Sequence, residues 1–258
     1  MRTVRRLYFY LVAFITLEVV MWGLIGLLRG ILSPVITGSG DALASSLALI
    51  LVGVPIFLLH WLSAQRSAAS DQEEHASTLR AVFLYGVLLS TLIPVTQNAL
   101  ALLDRTLVTS AGMDSYRSVL GGGQTWSDNL IAILLNGMAA WYFISIVRGD
   151  WKTLVNKDNF ADVRRVYRYV WHLYGLLMTV FGVQQVIRFA LYVPSETLGQ
   201  ISRDLFLNGL SLLIVGVPIW FVSWRVCQTD ARESGAQNNN LRFGVLYLLS
   251  FAGVAAAL

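Results

Sequence analysis

Long apolar runs alternate with short polar ones from the first residues to the last. Seven runs come close to the length that crosses a hydrocarbon core of about 30 Å at about 1.5 Å per helical residue. They cover residues 7–28, 44–63, 79–103, 129–147, 166–191, 205–226 and 241–258. The pattern predicts an all-α, polytopic transmembrane helical bundle. The first run, Leu7 to Leu28, is longer than the apolar core of a signal peptide, about 7–15 residues, and reads as a retained span. The last run reaches Leu258 with no polar flank after it, so an eighth span is expected beyond it.

A second pattern overlies the first. Residues 51–66, LVGVPIFLLHWLSAQR, return as residues 214–229, IVGVPIWFVSWRVCQT. Gly53, Pro55, Trp61 and Gln65 match Gly216, Pro218, Trp224 and Gln228 at a shift of 163. Arg5, Arg6, Tyr8 and Tyr10 match Arg164, Arg165, Tyr167 and Tyr169 at a shift of 159, as Arg29 matches Arg188. Chance alignment of two apolar segments explains shared leucines; it does not explain arginines, a proline, a tryptophan and a glutamine in one order. Two transmembrane repeats follow, residues 1–150 with four spans and residues 151–258 with three, the second incomplete. An even span count returns the chain to its starting side, so the copies share one orientation, a parallel repeat.

On the RRxYxY pattern of residues 5–10 and the GVPxxxxxW pattern of residues 53–61, with their second copies, the chain resembles a family of bacterial membrane domains of unknown function built from repeated four-helix units. The resemblance implies no activity and supplies no catalytic residues.

Composition agrees with a bilayer protein. The chain is 56% hydrophobic and only 13% charged, where soluble domains average about 25% charged. A net charge of +4 is compatible with nucleic acid, but the basic residues flank apolar runs, where they set topology, so nucleic acid is not expected as a partner. Fourteen of the nineteen lysines and arginines fall on the side of the N-terminus and five on the other. The excess places the N-terminus in the cytoplasm and the chain in the cytoplasmic (inner) membrane as a multi-pass protein. The one cysteine, Cys227, has no partner for an intrachain disulfide. No nucleophile elbow, zinc motif or phosphate loop is present, and Gly121-Gly122-Gly123 lacks the lysine of a phosphate cradle. No catalytic residue and no metal site is assigned, and an enzyme is not the leading reading.

The polar residues inside the apolar runs are the remaining chemistry. Glu18 stands near the centre of the first run, where an ionisable group is costly unless paired, protonated or hydrated; its repeat counterpart is Leu177. Gln97, Asn98, Asn136, Gln184, Gln185 and Asn208, with Arg29 and Arg188, fall in the outer half of the bilayer. If their faces converge they line a polar cavity; otherwise each bridges one helix pair. Pro55, Pro94 and Pro218 lie mid-span and predict kinks, with Gly53 and Gly216 at close helix contacts. His60 and His172 are weak candidates to ligate haem or the magnesium of a chlorin; otherwise no cofactor is expected. Trp61, Trp151, Trp171, Trp224 and the tyrosines at 8, 10, 167 and 169 read as an aromatic belt. Residues 148–165 read as a surface amphipathic helix, and residues 67–77 and 229–240 as mobile.

Three readings of function follow. The first is a non-enzymatic scaffold or accessory subunit with lipid and membrane-protein partners. The second is a small-solute or ion transporter or channel using Glu18 and an outer-leaflet cavity. The third is a haem- or pigment-bearing subunit through His60 and His172.

Overall fold

The computed structural model describes residues 2–32, 40–114, 118, 123–192 and 200–233. Among them are seven helices and no strand: α1 (Arg2–Leu32), α2 (Gly40–Ser70), α3 (Gln72–His75), α4 (Thr78–Ser110), α5 (Trp126–Thr153), α6 (Asp158–Tyr192) and α7 (Gln200–Glu233). All but α3 are long and apolar enough to cross a membrane. The protein is thus an all-α polytopic bundle. The expected seventh run, 241–258, lies outside the described residues, as do Gly121, Gly122 and residues 234–240.

Each long helix outlasts the apolar run that predicts it. At 31 residues α1 is about 46 Å long, so its ends extend past the hydrocarbon. Polar caps set several of these ends. The Ser77 side chain accepts from the backbone N–H of Arg80 at the start of α4. Thr125 and Asp128 form a reciprocal capping box at the start of α5. The helices run unbroken through Pro55, Pro94 and Pro218.

The chain divides into two compact units, Met1–Val163 and Arg164–Leu258. In unit 1, α1 packs most extensively on α2, and α4 on α5, while α1 also touches α4 and α5. The α1–α2 contact is close because glycines line it. A Cβ on Gly23 would meet the Ser46 carbonyl oxygen at 3.0 Å, and one on Gly53 would meet Val20 at 2.8 Å. In lipid, where apolar burial gains little, small residues that admit close backbone approach are what hold helices together.

Four helices meet in one aromatic cluster toward the N-terminal end of α1. Tyr10 (α1), Trp61 (α2), Phe83 (α4) and Phe143 (α5) are all buried. Trp61 stands 5.3 Å from both Phe83 and Phe143, centroid to centroid. Its indole N–H donates to the Tyr142 hydroxyl at 2.9 Å. Such pairs contribute about 0.5–1.5 kcal/mol each beyond area burial. Tyr10 and Trp61 are therefore core residues, not members of an interfacial belt.

The same end carries a charged network. The Arg80 guanidinium (α4), 2% exposed, donates to Asp150 of α5 at 2.8 Å and to Gln65 of α2 at 2.7 Å. His75 of α3 lies 3.1 Å from the same carboxylate. Arg6 of α1 pairs with Glu74 and, at 3.2 Å, with Glu73 of α3. Residues 67–77, expected to be mobile, are thus an ordered turn that staples α1 to α5. The expected surface helix at 148–165 is absent too. There α5 continues to Thr153 and α6 starts at Asp158, with Leu154 and Phe160 buried. Within unit 1, Asn159 donates to the Ala76 carbonyl at 2.9 Å.

In unit 2, α6 packs on α7 through the positions that the repeat equates. Gly182 meets the Gly209 carbonyl oxygen and Leu213, as Gly23 meets the Ser46 carbonyl oxygen and Ile50. Gly216 meets Met178 and Thr179, as Gly53 meets Val19 and Val20. Every pair obeys the shift of 159 or 163 found in the sequence. The tightest approach is Gly175, whose added Cβ would lie 2.5 Å from the Trp220 backbone nitrogen. Gly175→Ala is expected to destabilise the protein by about 1–3 kcal/mol. Gly137→Ala, with open space at its Cβ, should leave the thermal midpoint unchanged or slightly raised. Thermal unfolding of the two variants in lipid nanodiscs checks this, and equal midpoints would refute the close approach.

Candidate functional site

A cavity of about 190 Å³ opens among α1, α4 and α5 of unit 1. From α1 it takes Glu18, Met21, Trp22, Ile25 and Arg29, spaced as one face of a helix. From α4 it takes Ser90, Pro94 and Asn98, each four residues on from the last. From α5 it takes Ala132 and Asn136, with Gln124 just ahead of that helix. The volume accommodates several waters or one small solute. It runs from Glu18, halfway along α1, toward Arg29, near the end remote from the aromatic cluster. Trp22 is 74% exposed and stands at the rim.

The polar groups in this cavity are unevenly satisfied. Glu18 Oε1 is buried with no hydrogen-bond partner among the described residues. Asn98 Nδ2 donates to the Pro94 carbonyl at 2.8 Å, and Asn136 Nδ2 to the Ala132 carbonyl at 2.9 Å. Both bonds run back one turn along the same helix. An amide beside a carbonyl must turn its NH₂ end toward it, because two oxygens would repel, so chemistry dictates the assignment. Among the described residues no hydrogen bond reaches either Oδ1. Pro94 has no N–H, so the Ser90 carbonyl one turn earlier loses its helical donor. Arg29 is held at the far end, where Nε and Nη2 donate to the Asp128 carbonyl at 3.2 and 3.0 Å. That carbonyl lies in the first turn of α5, which the Thr125–Asp128 box fixes.

The sequence model of "Domain of unknown function (DUF5671)" matches the chain in two parts, residues 6–145 and 165–258. The chain belongs to the DUF5671 family. No curated protein and no solved structure matches it.

Of the polar candidates in this DUF5671 chain, four come together: Glu18, Arg29, Asn98 and Asn136. Gln97 is exposed and does not line the cavity. The remaining four belong to unit 2. Gln184 and Arg188 are exposed and Asn208 is buried. Gln185 lies against Gly209 with its Oε1 buried and unpaired. None of these lines the cavity. His60 Nδ1–H donates to the Ile56 carbonyl at 2.8 Å, beside Tyr8 and Phe9. His172 is buried against Trp224 at 5.6 Å. Each ring packs within its own unit, and no cluster of three or more metal-ligating side chains occurs among the described residues.

Ser90, Gln124 and the apolar wall of Met21, Trp22 and Ile25 were not singled out from the sequence. Ser90 was findable, because it precedes Pro94 by one helical turn and Asn98 by two. Gln124 sits in a loop, where spacing carries no information about direction.

A hydrated cavity should admit a water-soluble thiol reagent. In a Cys227→Ser background, Ser90→Cys is expected to react with a charged methanethiosulfonate. Thr91→Cys, one residue on and 1% exposed, should stay unlabelled. Equal reactivity at the two positions would contradict a cavity at this place.

Proposed function

We propose that this cytoplasmic-membrane protein takes a small polar solute or ion into the cavity of unit 1, as a transporter or channel does. The observation that carries the proposal is the convergence of Glu18, Asn98 and Asn136, from three helices, on one cavity. An ionisable group in mid-membrane facing a cavity is by default a functional group. A mid-span proline beside it frees a carbonyl, as in the broken helices of transporters. The excess of basic residues on the N-terminal side supports a cytoplasmic N-terminus, and the cavity then lies in the outer half of the bilayer. Same-orientation repeats of four spans complete this reading.

In proteoliposomes, Glu18→Gln is expected to lower proton- or cation-coupled solute flux by about tenfold or more, the factor that 1.4 kcal/mol of lost interaction gives. Unchanged flux would remove Glu18 from the mechanism.

One observation favours a second reading, an accessory subunit in a larger membrane assembly. Only 6% of the most apolar window of α2 is buried, and Leu47, Leu51, Leu58 and Leu62 are exposed. A neighbouring transmembrane helix would fit that face as lipid does. Native mass spectrometry from lipid nanodiscs decides it: a second membrane chain in fixed ratio is the expected result on this reading, and a bare monomer excludes it.

A further inference from the structure

We infer that the cavity's ligand is a small monovalent ammonium ion, held through oxygen acceptors; this rests on the solute-binding reading above and names its substrate class. Among the described residues, four oxygens around the cavity have no donor. They are a Glu18 carboxylate oxygen, Oδ1 of Asn98 and of Asn136, and the Ser90 carbonyl that Pro94 leaves without its helical N–H. The amide groups of Asn98 and Asn136 each give one N–H to their own helix, and the other amide and cation of the lining, Gln124 and Arg29, belong to the end where α5 starts. A cavity that offers acceptors near its only carboxylate selects a ligand that brings donors and positive charge.

Size and wall then separate an organic cation from a bare metal ion. About 190 Å³ is roomy for one dehydrated ion, and Met21, Trp22, Ile25 and Ala132 line it with apolar surface. An alkyl group suits that surface, and the indole face of Trp22 at the rim favours a cation passing over it. Arg29 sets the charge limit. It lies eleven residues along α1 from Glu18, about 16 Å of helical rise, and among the described residues its guanidinium meets only a neutral carbonyl. A second positive charge on the ligand would face it unscreened, so the ligand carries one.

The test is equilibrium binding to the full chain in lipid nanodiscs in potassium phosphate buffer. The probes are ethylammonium, tetramethylammonium and sodium chlorides, and potassium acetate. Ethylammonium is expected to bind and to protect Ser90→Cys from thiol labelling. Tetramethylammonium, which has no N–H, should bind about tenfold or more weakly, and Glu18→Gln should weaken ethylammonium by a similar factor. Should Glu18→Gln fail to fold, protection of Ser90→Cys with Glu18 intact decides the matter. Equal binding of the two ammonium ions, or binding of acetate or sodium alone, overturns the ammonium assignment and leaves a solute cavity standing. No binding by any probe, together with no Glu18-dependent flux, overturns both.

Discussion

The guanidinium of Arg80 is the group on which unit 1 depends. A cation that is 2% exposed in a membrane bundle has no water to solvate it, so the fold must supply acceptors. Asp150 and Gln65 do so from two other helices. That requirement fixes the register of α2, α4 and α5 at one end. Arg6 with Glu74 and Glu73 brings in α1 through the short helix α3. Above this network the aromatic cluster around Trp61 closes the space between all four long helices.

The other half of unit 1 holds the cavity. There polar groups face an open space and several remain unpaired. Side-chain amides turn their donors back along their own helices, and the proline of α4 leaves one carbonyl free. A bundle clamped at one end can leave such groups unsatisfied at the other without losing its register. This division of labour separates a structural end from an end available for binding. In unit 2 the position equivalent to Glu18 is Leu177, an exposed apolar residue, so the duplication kept the helix packing and not the carboxylate.

The packing it kept is specific. Gly23 against Ser46 and Ile50, and Gly182 against Gly209 and Leu213, are one contact made twice. The same is true of Gly53 and Gly216. Close helix contact tolerates few substitutions, because an added Cβ at each of these glycines would lie 3.0 Å or less from an atom of the facing helix. That is why the repeat survives most clearly around GVP and fades in the loops.

Six of the seven expected spans, the all-α class and the repeat were legible in the sequence, because bilayer thickness imposes a length and lipid imposes apolarity on every exposed position. Glu18, Asn98 and Asn136 were also visible one by one, as polar letters inside apolar runs. What only the tertiary structure decided was which of them meet. The direction a side chain takes around a helix depends on how the helix is rotated against its neighbours, and that rotation is set by the glycine contacts and by Arg80. For the same reason Gln97 turns outward while Asn98, one residue on, turns in. Trp61 and Tyr10 read as interfacial residues because composition records their chemistry and not their burial. Residues 67–77 read as a loose loop because nothing in a run of charges announces that Arg6 and Asp150 receive them across 60 or more residues of chain.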